Sequence, residues 1–123
     1  MANVIFVDDE PPIRRTLVRR ATRGHGLVAH APSSLSELLE LAEQNPSAVV
    51  VFDGNCAGAF EGLNGWDLVP LLRARGWTGE GVVFTGARDE NIPAFRNAGL
   101  PAERVFDKPE LSDLFQLLVE LAK

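Results

Sequence analysis

The sequence predicts an α/β domain built on a doubly wound parallel sheet, and three observations carry that expectation. Short continuous apolar runs at 4–7, 48–52, 82–84 and 105–106 have the length and polar flanks of strands buried on both faces. The stretches between them repeat apolar residues at helical spacing. Each run also ends directly on a polar side chain capable of chemistry, at the edge where open parallel sheets bind their ligands. Strands alternating with helices, five of each, give this class of architecture.

The elements follow in order. Val4-Ile5-Phe6-Val7 is the first strand and stops at Asp8-Asp9-Glu10. Pro11-Pro12 then open a helix, because proline is tolerated in a first turn. Ile13, Leu17 and Ala21, four apart, give that helix an apolar face ending near Gly24 or Gly26. A weaker strand over 27–31 is broken by Pro32. Ser34 and Glu37 have capping-box spacing ahead of a stripe of Leu35, Leu38, Leu39 and Ala42, and Asn45-Pro46 ends this second helix.

Ala48 to Phe52 is the clearest buried strand, with Asp53 immediately after it. The stretch 54–64 is glycine-rich and lacks periodicity. A helix is expected over Gly65–Ala74, with Pro70 early in it and Gly76 beyond its end. Val82-Val83-Phe84 ends at Thr85-Gly86. A short helix over 92–98 must then hold Pro93 in its first turn or break there. Val105-Phe106 runs into Asp107-Lys108-Pro109, and Leu111, Leu114, Phe115, Leu118 and Leu121 mark a last amphipathic helix with Leu117 off its stripe. Trp66 is expected to pack at a helix start, Trp77 to be partly exposed among glycines, and His25 and His30 to sit on the surface or an edge strand.

At 123 residues the chain fits one domain, 1–123, with one hydrophobic core, and no output domain is expected. Hydrophobic residues at 46% and charged residues at 24% are ordinary for a globular protein. No apolar run reaches the roughly 20 residues needed to span a bilayer. The start, Met1-Ala2-Asn3-Val4, lacks a secretory leader. Cys56, the single cysteine, excludes an internal disulfide and suits the cytoplasm. With no second cysteine to resolve it, Cys56 reads as a spectator thiol. The net charge of −5 argues against coating nucleic acid, and the arginines from Arg14 to Arg23 read as a solvated helix face.

The polar groups at the strand ends form one set. Asp8 and Asp9 follow the first strand, Asp53 the third, Thr85 the fourth and Lys108 the fifth. Carboxylates brought within about 4 Å repel by around 4 kcal/mol per pair at an effective dielectric near 20, so a proton or cation must relieve them. Oxygen-only donors favour a hard ion such as Mg2+, and no histidine–cysteine cluster offers a zinc site. An aspartate can be a nucleophile that forms an acyl phosphate, and Asp53, alone after the most buried strand, is the best placed. Asp8 and Asp9 would hold the metal, while the Lys108 ammonium and Thr85 hydroxyl suit phosphoryl oxygens.

These residues resemble the signature of bacterial response-regulator receiver domains, the CheY-like family, over nearly the whole chain. The segments are Val-Asp-Asp-Glu-Pro-Pro-Ile-Arg-Arg near the start, Val-Val-Val-Phe-Asp around Asp53, Asn-Gly-Trp-Asp-Leu after it, Val-Val-Phe-Thr-Gly, and Asp-Lys-Pro near the end. The resemblance implies a flavodoxin/CheY-like (βα)5 three-layer sandwich with strand order 2-1-3-4-5. It implies Asp53 as phosphoacceptor. Asp8, Asp9, Asp53 and the backbone carbonyl of Asn55 would hold Mg2+ or Mn2+, with Thr85 as switch hydroxyl and Lys108 as phosphate-binding lysine. It further implies a cis Lys108–Pro109 bond, an isomer open to X–Pro amides at modest cost.

A histidine kinase or histidine phosphotransfer protein would supply the phosphoryl group, docking near Arg14 and Arg15. Output would be phosphorylation-dependent binding of a downstream protein or onward relay, by a monomer or a phosphorylation-dependent dimer. Neither nucleic acid nor membrane enters, and no turnover enzyme is implied beyond self-phosphorylation and autodephosphorylation.

The chain departs from the family in three places. The 54–64 loop is longer than usual and has Cys56-Ala57 where Met-Pro is common. The position three before the lysine, normally aromatic, is Val105, and neighbouring Phe106 points to the opposite face of its strand. Pro93 shortens the expected fourth helix. These departures leave open a degenerate receiver that binds partners without phosphorylation. A haloacid-dehalogenase-like phosphatase would want a second aspartate where Asn55 stands.

Overall fold

The computed structural model describes residues 3–122, so Met1 and Ala2, read above for the absence of a leader, and Lys123 lie outside it. Among the described residues five strands form one parallel sheet: β1 (Val4–Val7), β2 (Ala29–His30), β3 (Val49–Phe52), β4 (Gly81–Thr85) and β5 (Val105–Asp107). Their order is β2-β1-β3-β4-β5, as expected from the sequence. Five α-helices cover it: α1 (Pro11–Arg19), α2 (Leu35–Gln44), α3 (Gly65–Ala74), α4 (Arg88–Asn97) and α5 (Leu111–Leu121). A π-helical turn, Arg20–Gly24, prolongs α1 to the glycine that the sequence marks as its end.

Side chains of a strand alternate between its two faces, and here both faces are buried. Ile5, Val7, Val50, Phe52, Val83 and Val105 face α2, α3 and α4 through Leu38, Ala42, Leu68, Leu72 and Phe95. Val4, Phe6, Val49, Val51, Val82 and Phe84 face α1 and α5 through Leu17, Ala21, Leu114, Phe115 and Leu118. Val105 and Phe106 fall in different cores, so the aromatic does point away from the face that Val105 occupies. Leu117, off the main stripe of α5, is half-buried against the second core. Among the described residues no helix is long and apolar enough to cross a membrane.

Four expectations need correction. α4 begins at Arg88 rather than 92, and Pro93 therefore lies inside it. Its first turns, Arg88, Asp89, Glu90 and Asn91, carry no apolar periodicity to announce a helix. The acidic Asp89 and Glu90 instead suit the positive end of the helix dipole, and the Asn91 N–H donates to the Ala87 carbonyl at 3.0 Å. β2 is shorter than 27–31 because only Ala29 and His30 pair with β1.

Trp77 is not partly exposed but buried, at 2% exposure. Its indole N–H donates to the Ala48 carbonyl at 2.8 Å, its ring meets Phe52 edge-on, and the Arg73 guanidinium lies 3.9 Å from its centroid. The glycines that hinted at exposure have the opposite effect. Gly76 takes φ of +97 just past α3, and a Cβ on Gly79 would stand 2.0 Å from the Ala48 carbonyl, so together they fold the indole inward.

The Lys108–Pro109 bond is trans, since no cis peptide bond occurs among the described residues. Trans is the lower-energy isomer by about 0.5–1 kcal/mol, and the turn here closes without the alternative. The Glu110 N–H donates to the Asp107 carbonyl at 2.8 Å, and the Glu110 carboxylate accepts from the Asp107 N–H at 2.8 Å.

The long 54–64 segment is anchored rather than loose. Phe60 and Cys56 are fully buried in the core beneath α3. Ala59 donates to the Cys56 carbonyl, Gly62 to Ala57 and Leu63 to Phe60, giving successive turns. Truncation in most loops is nearly free, but a buried phenylalanine behaves as a core residue. Phe60→Ala should therefore lower unfolding free energy by about 3–5 kcal/mol in urea titration. A cost near that of a surface change would show that the loop is not part of the core.

Candidate functional site

Parallel pairing brings the acidic groups together. β1 and β3 align Val7 with Phe52, so the residues that follow, Asp8 and Asp53, leave the sheet side by side. The Asp53 N–H donates to the Val7 carbonyl at 3.0 Å, which extends the ladder to the start of the site. Carboxylate oxygens of Asp8, Asp9 and Asp53 all lie within 4.8 Å of one another. Asp8 is 2% and Asp53 7% exposed, while Asp9 is half-exposed at the rim.

Each carboxylate is placed by identifiable contacts. Asp8 Oδ1 accepts from the Glu10 N–H at 2.9 Å, and its Oδ2 accepts from Lys108 Nζ at 2.5 Å. Arg14 donates to the Asp8 carbonyl at 2.9 Å, tying α1 to the strand end. Lys108 itself is held by its N–H, which donates to the Thr85 carbonyl at 3.0 Å, and its ammonium lies 5.1 Å from the Phe84 ring centroid. Behind Asp53 the chain passes so close to α3 that a Cβ on Gly65 would stand 2.1 Å from the Asp53 carbonyl. Glycine is the residue that allows this approach.

The carboxyl of Asp53 is pushed up to about 6. Burial is the main cause; Lys108 opposes it, Asp8 and Asp9 raise it further, and the Asn55 N–H lowers it. The group opens onto a cleft of about 330 Å³ lined by Asp9, Glu10, Ile13, Asn55, Gly86 and Lys108 as well. A larger cleft of about 490 Å³ lies between α1 and β2, lined by Arg14, Arg15, Arg19 and Arg23. It is lined by no carboxylate, whereas the smaller cleft gathers the acidic groups.

Asp8, Asp9, Asp53 and Lys108 are thus brought together, and Asn55 lines the same cleft. Thr85 is at the right strand end but fully buried, and its hydroxyl donates to Asn91 Oδ1 at 2.8 Å. Asn91 is a residue that sequence reading missed. The available signal was a polar residue four before the buried Phe95, on the inward face of α4. Cys56 stays outside the chemistry: burial first, then the neighbouring carboxylates, push its thiol up to about 12, and it points to the Leu63 carbonyl. His30 is exposed on β2, and His25 stacks on Phe115 far from the acidic cleft.

Three close carboxylates with only oxygen donors fit a hard divalent cation. Burial raises the Asp53 carboxyl despite the opposing lysine, and a cation among the three carboxylates would favour its charged form. A pKa raised on folding contributes stability below about 3.8, which is lost as pH rises through about 6. Asp53→Asn removes that penalty. In metal-free buffer at pH 7.5 it should stabilise the protein by on the order of 2 kcal/mol, and the gain should fade between pH 6 and pH 4. Equal denaturation midpoints for the two proteins at pH 7.5 would contradict the raised pKa.

A scan with protein-family models gave no match, and neither did comparison with curated protein sequences. Solved structures do match. The receiver domain of NtrX from Brucella abortus is 22% identical with a TM-score of 0.75, the overlap covering 97% of this chain and 96% of that one. The Francisella response regulator 1452 receiver domain is 20% identical with a TM-score of 0.73, over the full length of both chains. A Burkholderia pseudomallei response regulator with a phosphorylated aspartic acid, calcium ion and citrate is 19% identical with a TM-score of 0.72. That overlap covers 98% of this chain and 66% of the other, so the chain spans about two thirds of that protein's length. With its strand order and near-complete overlap with these structures, the chain has the CheY-like fold of response-regulator receiver domains.

Proposed function

We propose that the chain is a phosphoacceptor of two-component signalling, phosphorylated on Asp53 by a histidine kinase or histidine phosphotransfer protein. The observation that carries this reading is the convergence of Asp8, Asp9 and Lys108 on a buried carboxylate with an open cleft beside it. A structural neighbour solved with a phosphorylated aspartic acid and a calcium ion supports it.

The chemistry balances simply. An Asp53 oxygen attacks the phosphorus of a phosphohistidine, the O–P bond forms as the N–P bond breaks, and the electron pair returns to the imidazole, which takes a proton from solvent. Above about pH 6 Asp53 is ionised and ready to attack. Asp8, Asp9, Asp53 and the Asn55 carbonyl would hold Mg2+ or Mn2+, which supplies positive charge against the transferring phosphoryl group. Lys108, now on Asp8, turns its ammonium to a phosphoryl oxygen, and the Thr85 hydroxyl donates to another. Hydrolysis of the acyl phosphate resets the site, so the chain switches rather than turning over a separate substrate. The setting is the bacterial cytoplasm, and Arg14 and Arg15 on α1 offer the phosphodonor a basic face.

Incubation with acetyl phosphate and Mg2+ should add one phosphoryl group by intact mass, and Asp53→Ala should add none. Lys108→Ala should slow labelling by about 10-fold or more, as loss of a charge-assisted contact to the transferring group does. Absence of labelling together with absence of beryllofluoride binding would favour the alternative, a degenerate receiver acting through protein binding alone. Mg2+ should also raise the melting temperature at pH 7.5, and Asp9→Asn should remove most of that rise. An unchanged rise in Asp9→Asn would take Asp9 out of the metal site.

A further inference from the structure

The Thr85 hydroxyl has one proton to donate, and here it is committed to Asn91 Oδ1 at 2.8 Å. The same oxygen accepts from the Ala87 N–H at 3.3 Å, so the threonine links the end of β4 to the entry of α4. Both partners are sealed from water, Thr85 completely and Asn91 at 6% exposure. Asn91 does not line the acidic cleft, but it lies directly against the backbone that follows Asp53. A Cβ on Gly54 would stand 1.9 Å from Asn91 Oδ1 and 2.9 Å from Thr85 Oγ1.

The consequence rests on the phosphoacceptor reading of Asp53. A phosphoryl oxygen on Asp53 and the Asn91 amide oxygen compete for one proton. If Thr85 turns to the phosphoryl group, the Asn91 oxygen is left buried without its donor, a state costly enough to force a rearrangement. Asn91 is carried by α4, whose interior Pro93 has no N–H to donate to the Asp89 carbonyl. The helix is therefore less firmly braced at that turn. On β5, beside β4, Val105 is aliphatic and Phe106 faces the opposite core.

We propose that Asn91 is the positioning residue that couples Asp53 to α4. Its bond from Thr85 holds α4 in the resting position, and phosphorylation takes the Thr85 proton and releases the helix. The chain's two tryptophans read this out. Trp66 meets Phe95 of α4 edge-on at 5.8 Å, whereas Trp77 is pinned to Ala48 at the far end of the sheet.

The full chain labelled with 5-fluorotryptophan is examined by fluorine NMR with and without beryllofluoride and Mg2+, alongside acetyl phosphate labelling by mass. In the wild type the Trp66 resonance should move and that of Trp77 should not. In Asn91→Ala the Trp66 shift should be lost while labelling proceeds as in the wild type. If that variant does not fold, Asn91→Leu, close to it in shape and without an acceptor, deletes the same bond and leaves the Thr85 hydroxyl free for the phosphoryl group. A full Trp66 shift in Asn91→Ala or Asn91→Leu overturns the coupling, as does a labelled wild type whose Trp66 stays still. A wild type that neither takes a phosphoryl group nor responds to beryllofluoride overturns the phosphoacceptor reading itself, and the coupling with it.

Discussion

Repulsion among three carboxylates held at one edge of a buried parallel sheet is the constraint on which the rest of the site depends. Asp8, Asp9 and Asp53 cannot separate, because the β1–β3 register places Asp8 beside Asp53 and the ladder continues into the Asp53 N–H. Lys108 pairs with Asp8 at 2.5 Å and Arg14 caps the Asp8 carbonyl, yet burial, with Asp8 and Asp9 adding to it, pushes the Asp53 carboxyl up to about 6. Negative charge is thus stored where water is scarce and only partly compensated, the condition in which a cation or a bound phosphoryl group changes the balance most. The sheet holds the cluster in place: its central strands are enclosed by apolar contacts on both faces.

The surroundings of that cluster divide into a rigid and a movable part. On one side the 54–64 loop is fastened by Phe60 and Cys56 into the core, with Glu61 and Gly62 at positive φ completing its turns. A segment that sequence alone reads as irregular is therefore a fixed wall, and its Gly58 passes near Asp9. On the other side the Thr85 hydroxyl ties the strand end to α4, donating to Asn91 and accepting from the Ala87 N–H. A hydroxyl that can donate to only one acceptor at a time makes such a junction sensitive to a local change of charge.

Several misreadings share one cause, the use of local composition where packing decides. Glycines around Trp77 looked like a loose surface turn, yet they permit the tight path that buries the indole and satisfies its N–H. The charged start of α4 carries no apolar periodicity, although its acidic residues suit a helix N-terminus. The trans Lys108–Pro109 bond departs from what the resemblance implies, and the turn around it is closed by Asp107 and Glu110 instead.

The strands and the polar residues that gather at their ends were legible in the sequence, because burial on both faces demands continuous apolar runs and leaves polar groups where those runs stop. Asp8, Asp9, Asp53 and Lys108 could be named from that pattern without knowing any distance. Tertiary structure alone decided which of them touch: that Lys108 pairs with Asp8, that Thr85 points to Asn91, and that Phe60 pins the loop. Each of these depends on side chains far apart in the chain meeting across the sheet edge, where one hydroxyl proton or one ammonium must choose among several acceptors. That choice is set by sub-ångström packing, which a linear pattern does not encode.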